Sequence, residues 1–148
     1  MKLKNQFLKI FSLFLVVFCL FVPRSLATEL ISQAPANAQA YIIEPTNGET
    51  LPQTFKVKFG LSGMGIAPAG VDAPNTGHHH LLVDRQELPD LTASLPATEA
   101  ILHFGKGQTE TELTLPPGEH TLQLVLGNYA HIPHEQPVIS EKIAIKVR

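Results

Sequence analysis

Short β-rich segments separated by turn residues recur from residue 39 onward, and this pattern limits the fold more than any other feature. In "TFKVKFGL" (54–61), apolar Phe55, Val57 and Phe59 alternate with lysines, as expected of a half-buried strand. The pattern predicts an all-β fold, an immunoglobulin- or fibronectin III-like antiparallel β-sandwich of about seven strands; a β-barrel is the competing architecture. The predicted strands cover residues 39–44, 54–61, 78–84, 100–104, 108–115, 120–126 and 138–147.

The first 27 residues are predicted to be a secretory signal peptide. Lysines precede the apolar run "IFSLFLVVFCLFV" (10–22), and "SLA" (25–27) ends in a site that signal peptidase would cleave after Ala27. The run is shorter than the roughly 20 residues that span a bilayer, which disfavours a membrane anchor. We therefore expect a periplasmic or secreted protein that does not span the membrane after cleavage. A flexible leader at 28–38 would precede one β-sandwich domain at 39–148.

The composition of the exported part excludes several classes of function. Cys19 is the one cysteine, and it leaves with the signal peptide, so no disulfide or thiolate ligand is expected. Four of the 11 Lys and Arg residues also leave. Seven basic residues then stand against 13 acidic ones, a net charge of −6 with neutral histidines. This balance argues against nucleic acid or anionic lipid as a partner.

All seven histidines lie in the exported part, and the order of the predicted strands gathers six of them at one pole of the sandwich. The loop after the second strand leads into "HHH" (78–80) at this pole, and the fourth strand ends there near His103. The loop after the sixth strand returns to it with "HIPH" (131–134). His120 begins the sixth strand at the opposite pole, where we expect it to close the turn after "PPGE".

Strand alternation divides the triplet. His78 and His80 share one face, whereas His79 points the other way with Leu81 and Val83. Converging imidazoles suit copper, zinc or nickel. Because protonated imidazoles cannot coordinate, we expect metal binding to weaken steeply from pH 7 to pH 5. The candidate metal ligands are His78, His79, His80, His103, His131 and His134.

These features favour an exported metal-binding domain that serves as a chaperone, buffer or sensor for a copper or zinc ion. Copper comes first, because exported histidine and methionine sites suit it and no thiolate is available. Met64, Asp72 and Asn75 lie in the long loop that reaches the same pole. The alternatives are a hydrogen-bonded structural cluster, an organic-ligand or catalytic pocket, and an adhesion-like or envelope-assembly module that binds an envelope protein or a glycan there.

Enzyme activity is not expected from the motifs. Ser62, Ser94 and Ser140 lack the context of a nucleophile elbow. "GKG" (105–107) lacks the spacing of a phosphate-binding loop and is interpreted as a hairpin turn.

Four segments together carry a family resemblance. They are "FKVKFGLSGMGIAPAG", "NTGHHHLLVD", "HFGKGQTETELTLPPGEHTLQLVLG", and "HIPH" followed by "ISEKI". From about Tyr41 to Val147 the chain resembles the bacterial domain-of-unknown-function family numbered 4399. The resemblance implies a small exported β-domain, and its motifs include the six candidate histidines. Similar sequences often carry an acidic residue where this chain has Asn128–Ala130; if that acid serves as a ligand or an orienting partner, this chain lacks it.

Overall fold

A computed structural model describes residues 30–148; the predicted signal peptide, residues 1–27, lies outside the described residues. The described part contains no helix, and therefore none long and apolar enough to cross a membrane. Its strands are β1 Gln39–Glu44, β2 Thr50–Leu51, β3 Thr54–Ser62, β4 Gly65–Ile66, β5 Thr76–Val83, β6 Ile101–His103, β7 Glu110–Thr114, β8 Gly118–Gly127 and β9 Ile143–Val147.

The strands form two sheets. The first has the order β1-β3-β7 and is antiparallel, and the second has the order β2-β9-β8-β5-β4, with β6 also paired to β5. The longer strands reproduce the two-sheet arrangement of an immunoglobulin-type sandwich, which confirms the predicted fold class. The two-residue strands β2 and β4 were not predicted, and they pair in parallel with β9 and β5.

The sandwich core fills the space between the sheets. Phe55, Val57 and Phe59 of β3 are buried there, as the alternation in "TFKVKFGL" predicts. Leu122 and Leu124 of β8 belong to the same apolar cluster. The alternating side chains of β3 and β8 therefore join the two sheets.

Strand β5 is buried on both faces, which places the histidine triplet away from bulk solvent. Leu81 and Val83 belong to the sandwich core. Leu82, on the other face, packs in a second apolar cluster with Ile101 and Leu95. Leu95 belongs to the connector between β5 and β6, so this connector covers part of the outer face of the second sheet.

The last strand is shorter than predicted, because β9 begins at Ile143 and not at residue 138. Ser140 interrupts the pairing with β8. Its hydroxyl accepts a hydrogen bond from the Leu124 N–H at 2.8 Å and donates one to the Glu141 carbonyl at 2.8 Å. Such side-chain hydrogen bonds compete with a regular strand ladder.

Residues 30–38, most of the predicted leader, form no strand but are tied to the loop after β8. The Asn128 side-chain amide donates to the Leu30 carbonyl at 2.7 Å and to the Ser32 hydroxyl at 3.2 Å. The Glu135 N–H donates to the Ser32 carbonyl at 3.0 Å. The flexibility of this leader stays a prediction, and these three hydrogen bonds limit it at Leu30 and Ser32.

His120 lies at the opposite end of the sandwich from the triplet, next to Asp84 at the end of β5. Its Nδ1 is 2.7 Å from Oδ2 of Asp84, and its Nε2 is 2.8 Å from the carbonyl of Pro116. Both partners are acceptors, so both ring nitrogens donate only when His120 is protonated. Burial alone lowers the pKa of His120, but the Asp84 and Pro116 hydrogen bonds and the charges of Asp84 and Glu119 together raise it.

His120→Ala is therefore expected to lower the free energy of unfolding by about 2 kcal/mol at pH 6, because it leaves two acceptors without a donor. The folded pKa lies above the unfolded value of 6.5. The contribution of protonated His120 to the free energy of unfolding is thus fully present below pH 6.5 and is lost as pH rises through the folded pKa. Urea unfolding of both proteins at pH 6 and pH 9 measures this difference. It should narrow at pH 9, and a constant difference would contradict a protonated His120.

Candidate metal centre

Strand β5 divides its three consecutive histidines between two faces. His79 points into the sandwich, where its ring centroid lies 5.3 Å from that of Phe59. His78 and His80 lie on the outer face of the second sheet with ring centroids 4.9 Å apart. All three side chains are fully buried. A site on the outer face can therefore use His78 and His80 but not His79.

Two further imidazoles meet this pair. Strand register places His103, the last residue of β6, opposite His80, and the two rings stack with centroids 5.1 Å apart. His131, from the loop after β8, lies 5.0 Å from His78 and 4.8 Å from His103 between ring centroids. The structure thus brings together four of the six candidate residues, and they come from three separate segments. We call His78, His80, His103 and His131 the histidine cluster.

The loop after β8 is shaped to present His131. Oδ1 of the buried Asn128 accepts hydrogen bonds from the N–H groups of Ala130 at 2.9 Å and Ile132 at 3.1 Å. His131 itself has a φ of 66°, in the left-handed region that few residues other than glycine adopt. Its carbonyl accepts the Leu95 N–H at 2.9 Å. Backbone conformations that neighbours enforce in this way concentrate at functional sites.

The two buried imidazoles of the cluster lack hydrogen-bond partners. Among residues 30–148, neither ring nitrogen of His78 or His80 has one. An unpaired buried polar group costs about 1–3 kcal/mol. Burial, together with the charges of neighbouring histidines, lowers the pKa of His78 to about 4 and that of His80 to about 3. Both rings are therefore neutral at pH 7, and each keeps a nitrogen lone pair that can bind a metal ion.

The spacing of the ring nitrogens is compatible with a small ion after a modest adjustment. One nitrogen from each of His78, His80 and His103 lies within 4.8 Å of the others. A tetrahedral ion bound at about 2.0–2.1 Å needs its ligand nitrogens about 3.4 Å apart. His103 is exposed at the rim and is the ligand that can rotate inward. Since the group consists of histidines, its donor set suits Cu(II), Zn(II) or Ni(II).

The remaining candidates lie elsewhere. His79 is in the sandwich core, and His134 is buried beside a separate cavity of about 240 Å³. Asp72 and Asn75 line the same cavity as His134. Met64 packs against the sandwich core. The proposal of a methionine ligand therefore loses its support, and the centre rests on imidazoles alone.

Two glycines make room for the cluster, and no sequence pattern singled them out. A Cβ on Gly127 would lie 2.8 Å from Cε1 of His80 and 3.3 Å from the backbone of His131. A Cβ on Gly105 would overlap the ring of His103. The strand register could have identified Gly127, because this glycine pairs directly with His78 across β5 and β8.

Gly105→Ala is expected to weaken Cu(II) or Zn(II) binding by about 10-fold or more, in the range of changes that disturb ligand orientation. The added methyl group displaces the His103 ring, which is exposed and can move without disturbing the core, so Tm should change little. Gly65→Ala is the matched control, since a Cβ there makes an ordinary 3.4 Å contact with Thr76. Calorimetric titration compares the variants, and equal affinities would show that the His103 ring position is unimportant.

Comparisons with known proteins assign the chain to a family. No curated protein matches the chain significantly. Among solved structures, the chain is similar to the endo-beta-1,4-mannanase from Thermotoga petrophila, with 19% identity and a TM-score of 0.45; the match covers 75% of this chain and 20% of that chain. The family "Domain of unknown function (DUF4399)" matches residues 57–148, which contain all seven histidines. Because this match covers well over half of the sequence, the chain belongs to the DUF4399 family.

Proposed function

We propose that this protein is an exported, non-catalytic metal-binding domain whose histidine cluster holds one transition-metal ion. One observation carries the proposal. Four imidazoles from three segments lie with ring centroids 4.8–6.1 Å apart, and the buried pair has no hydrogen-bond partner in the described part of the chain. An ion would take up the lone pairs that the fold leaves unused.

Copper is the first metal that we propose, and zinc the second. Affinity for nitrogen donors generally rises to Cu(II) and falls again at Zn(II). Mg(II) and Ca(II) prefer oxygen ligands, which the cluster lacks. The donor set therefore supports Cu(II) over Zn(II), and both over Mg(II).

The role that we propose is that of a metal chaperone, buffer or sensor outside the cytoplasm. Two cluster members, His78 and His80, are buried, whereas His103 and His131 reach toward solvent. A centre with ligands at its rim is open to a competing ligand, for example from an envelope protein that delivers or accepts the ion. The predicted signal peptide supports this location.

Titration of the metal-free protein with Cu(II), Zn(II) and Mg(II) in separate experiments tests the proposal. We expect one Cu(II) or Zn(II) per chain, tighter binding of Cu(II), and no binding of Mg(II). Electron paramagnetic resonance of the copper form should report nitrogen ligands. Cu(II) binding as weak as that of Mg(II) would overturn the proposal and favour a docking surface for a protein or glycan at this pole.

A further inference from the structure

Three rings of the histidine cluster form an almost regular triangle. The ring centroids of His78, His80 and His103 lie 4.9, 5.1 and 5.1 Å apart. One nitrogen of each ring lies within 4.8 Å of the other two, and His131 does not belong to this group. The fold therefore offers an ion three converging imidazoles from β5 and β6, with the ring of His131 beside them at the rim.

The inner side of this triangle is shielded from water. His78 and His80 are 0% exposed. The same face of the second sheet carries an apolar cluster that includes Leu82, Ile101 and Val125, and Val125 pairs directly with His80. An ion held by the buried pair therefore loses its hydration on that side and gains apolar neighbours in its place.

No negative charge compensates for an ion at this position within residues 30–148. No Asp or Glu belongs to the group of converging ligand atoms. The charges that act on His78 and His80 are those of other histidines, and none of them is the charge of an acidic side chain. Because the imidazoles bind as neutral ligands, a bound Cu(II) keeps its full charge of two and a bound Cu(I) its charge of one.

The charge of the ion then decides which oxidation state of copper the cluster favours. The free energy of moving an ion from water into a medium of low polarity rises with the square of its charge. Burial therefore costs a divalent ion about four times as much as a monovalent ion of the same radius. Copper bound to free imidazole in water does not pass through this change of medium. The apolar shell around a metal centre tunes its reduction potential in this way.

We propose that the histidine cluster favours copper in its reduced state, Cu(I), held by His78, His80 and His103. This inference rests on the metal centre proposed above and adds the oxidation state of its ion. Reduction of bound Cu(II) takes one electron from an external reductant, and the three imidazoles stay neutral, so no bond within the protein forms or breaks. The cargo of the proposed chaperone, buffer or sensor is then a monovalent ion.

Spectroelectrochemical titration of the copper-loaded protein tests the proposal, with copper in excess imidazole at the same pH as the reference. The reference has the same donor atoms but is surrounded by water. We expect a more positive reduction potential in the protein, equivalent to a preference for Cu(I) on the order of 10-fold or more over the reference. Calorimetric titration should also show one Ag(I), a monovalent ion that air does not oxidise, per chain. His80→Leu should lose this Ag(I) binding.

A carboxylate placed beside the cluster should shift the preference toward Cu(II). Ala69 is suited to this test, because its Cβ and the His103 ring both lie within 3.3 Å of the position that a Cβ on Gly105 would take. Ala69→Asp should lower the preference for Cu(I) by about 3-fold or more, the effect of one unit charge about 6 Å away even in water. Ala144→Asp is the matched control. It adds the same charge at an exposed position of β9, at the end of the sandwich opposite the cluster, and should leave the potential unchanged.

The outcomes separate this inference from the metal centre on which it rests. Copper that binds with a potential equal to or more negative than that of the imidazole reference would overturn the inference and leave the metal centre in place. Equal potentials in Ala69→Asp and Ala144→Asp would also overturn it, because charge at the cluster would then not set the preference. If Cu(II), Cu(I) and Ag(I) all failed to bind, the metal centre itself would be wrong, and the inference with it.

Discussion

Replacing His80 with alanine is expected to lower the affinity for Cu(II) or Zn(II) by more than about 100-fold, since loss of a ligand exceeds the 10- to 100-fold effects of supporting residues. His80 is fully buried at the centre of the cluster, with ring centroids 4.9 Å from His78 and 5.1 Å from His103. His103→Ala and His131→Ala should also weaken binding. Calorimetric titration of each purified variant measures the change.

Matched histidines outside the cluster provide the controls. His79→Leu and His120→Ala should leave metal affinity unchanged, because His79 packs on Phe59 in the core and His120 bonds to Asp84 at the far end of the sandwich. If all five variants lost metal affinity equally, the effect would depend on residue type and not on position. That result would contradict the assignment of the metal centre to the histidine cluster. If no variant loses affinity, the ion binds elsewhere.

The stability of a second variant at this position, His80→Leu, separates a metal centre from a structural cluster. A structural cluster would be stabilised by hydrogen bonds, but neither nitrogen of His80 has a partner in the part of the chain described. His80→Leu replaces an unpaired polar ring by an apolar side chain, which is neutral or stabilising when no hydrogen bond is lost. We therefore expect the metal-free variant to unfold at the same urea concentration as the wild type or higher. A loss of about 2 kcal/mol or more would favour the structural cluster.

The metal-free protein is expected to lose stability steeply as pH falls from 6.5 toward 4. Burial lowers the pKa of His79 to about 4, and His78 and His80 reach similarly low values. In the unfolded chain these groups titrate near 6.5. Between the two pKa values the unfolded chain binds more protons than the folded one. The part of the free energy of unfolding that depends on these neutral histidines is therefore fully present above pH 6.5, and it is lost as pH falls to the folded pKa.

The expected size of this loss is large relative to the stability of a small domain. One pKa unit corresponds to about 1.4 kcal/mol, so the shift of His79 alone represents about 3 kcal/mol. Domains of this size are stable by roughly 5–15 kcal/mol in total. Urea unfolding at pH 7, 6, 5 and 4 measures the effect. His79→Leu should reduce the slope of stability against pH while leaving metal affinity unchanged, and an identical slope would contradict a buried neutral His79.

The same shifts bear on the expected loss of metal binding from pH 7 to pH 5, which stays a prediction. A steep loss between pH 7 and pH 5 assumes imidazoles with ordinary pKa values. Because His78 and His80 have pKa values of about 4 and about 3, protons compete for their nitrogens only at lower pH. Above pH 5, protonation of His78 and His80 should therefore contribute little to any change in metal affinity.

Local patterns predicted much of the fold and the direction of its strands. Alternation at 54–61 identified β3 and its buried face, and turn residues marked the hairpins. Counting hairpins then separated His120 from the triplet correctly, as the pairing of His78 with Gly127 and of Val83 with Leu122 shows. These features depend on residues close in sequence, which is why a pattern can reveal them.

Long-range packing determined what the patterns could not reveal. "HIPH" offers two histidines three residues apart, yet His131 joins the cluster and His134 borders a separate cavity. The division depends on the side-chain hydrogen bonds of Asn128 and on the left-handed backbone at His131. Ser140 likewise ends the ladder through its own hydroxyl. Loop conformations set by such tertiary contacts have no periodic signature.

The pairing of β5 has a consequence for how quickly an ion would move. Strand β5 is hydrogen bonded to β8 on one edge and to β4 and β6 on the other, so the backbone that carries His78 and His80 is fixed. His103 and His131 lie at the rim. A bound ion would therefore be released through the rim ligands one at a time, while the buried pair keeps its position. Exchange would then proceed without unfolding, at a rate that rises with the concentration of the competing ligand.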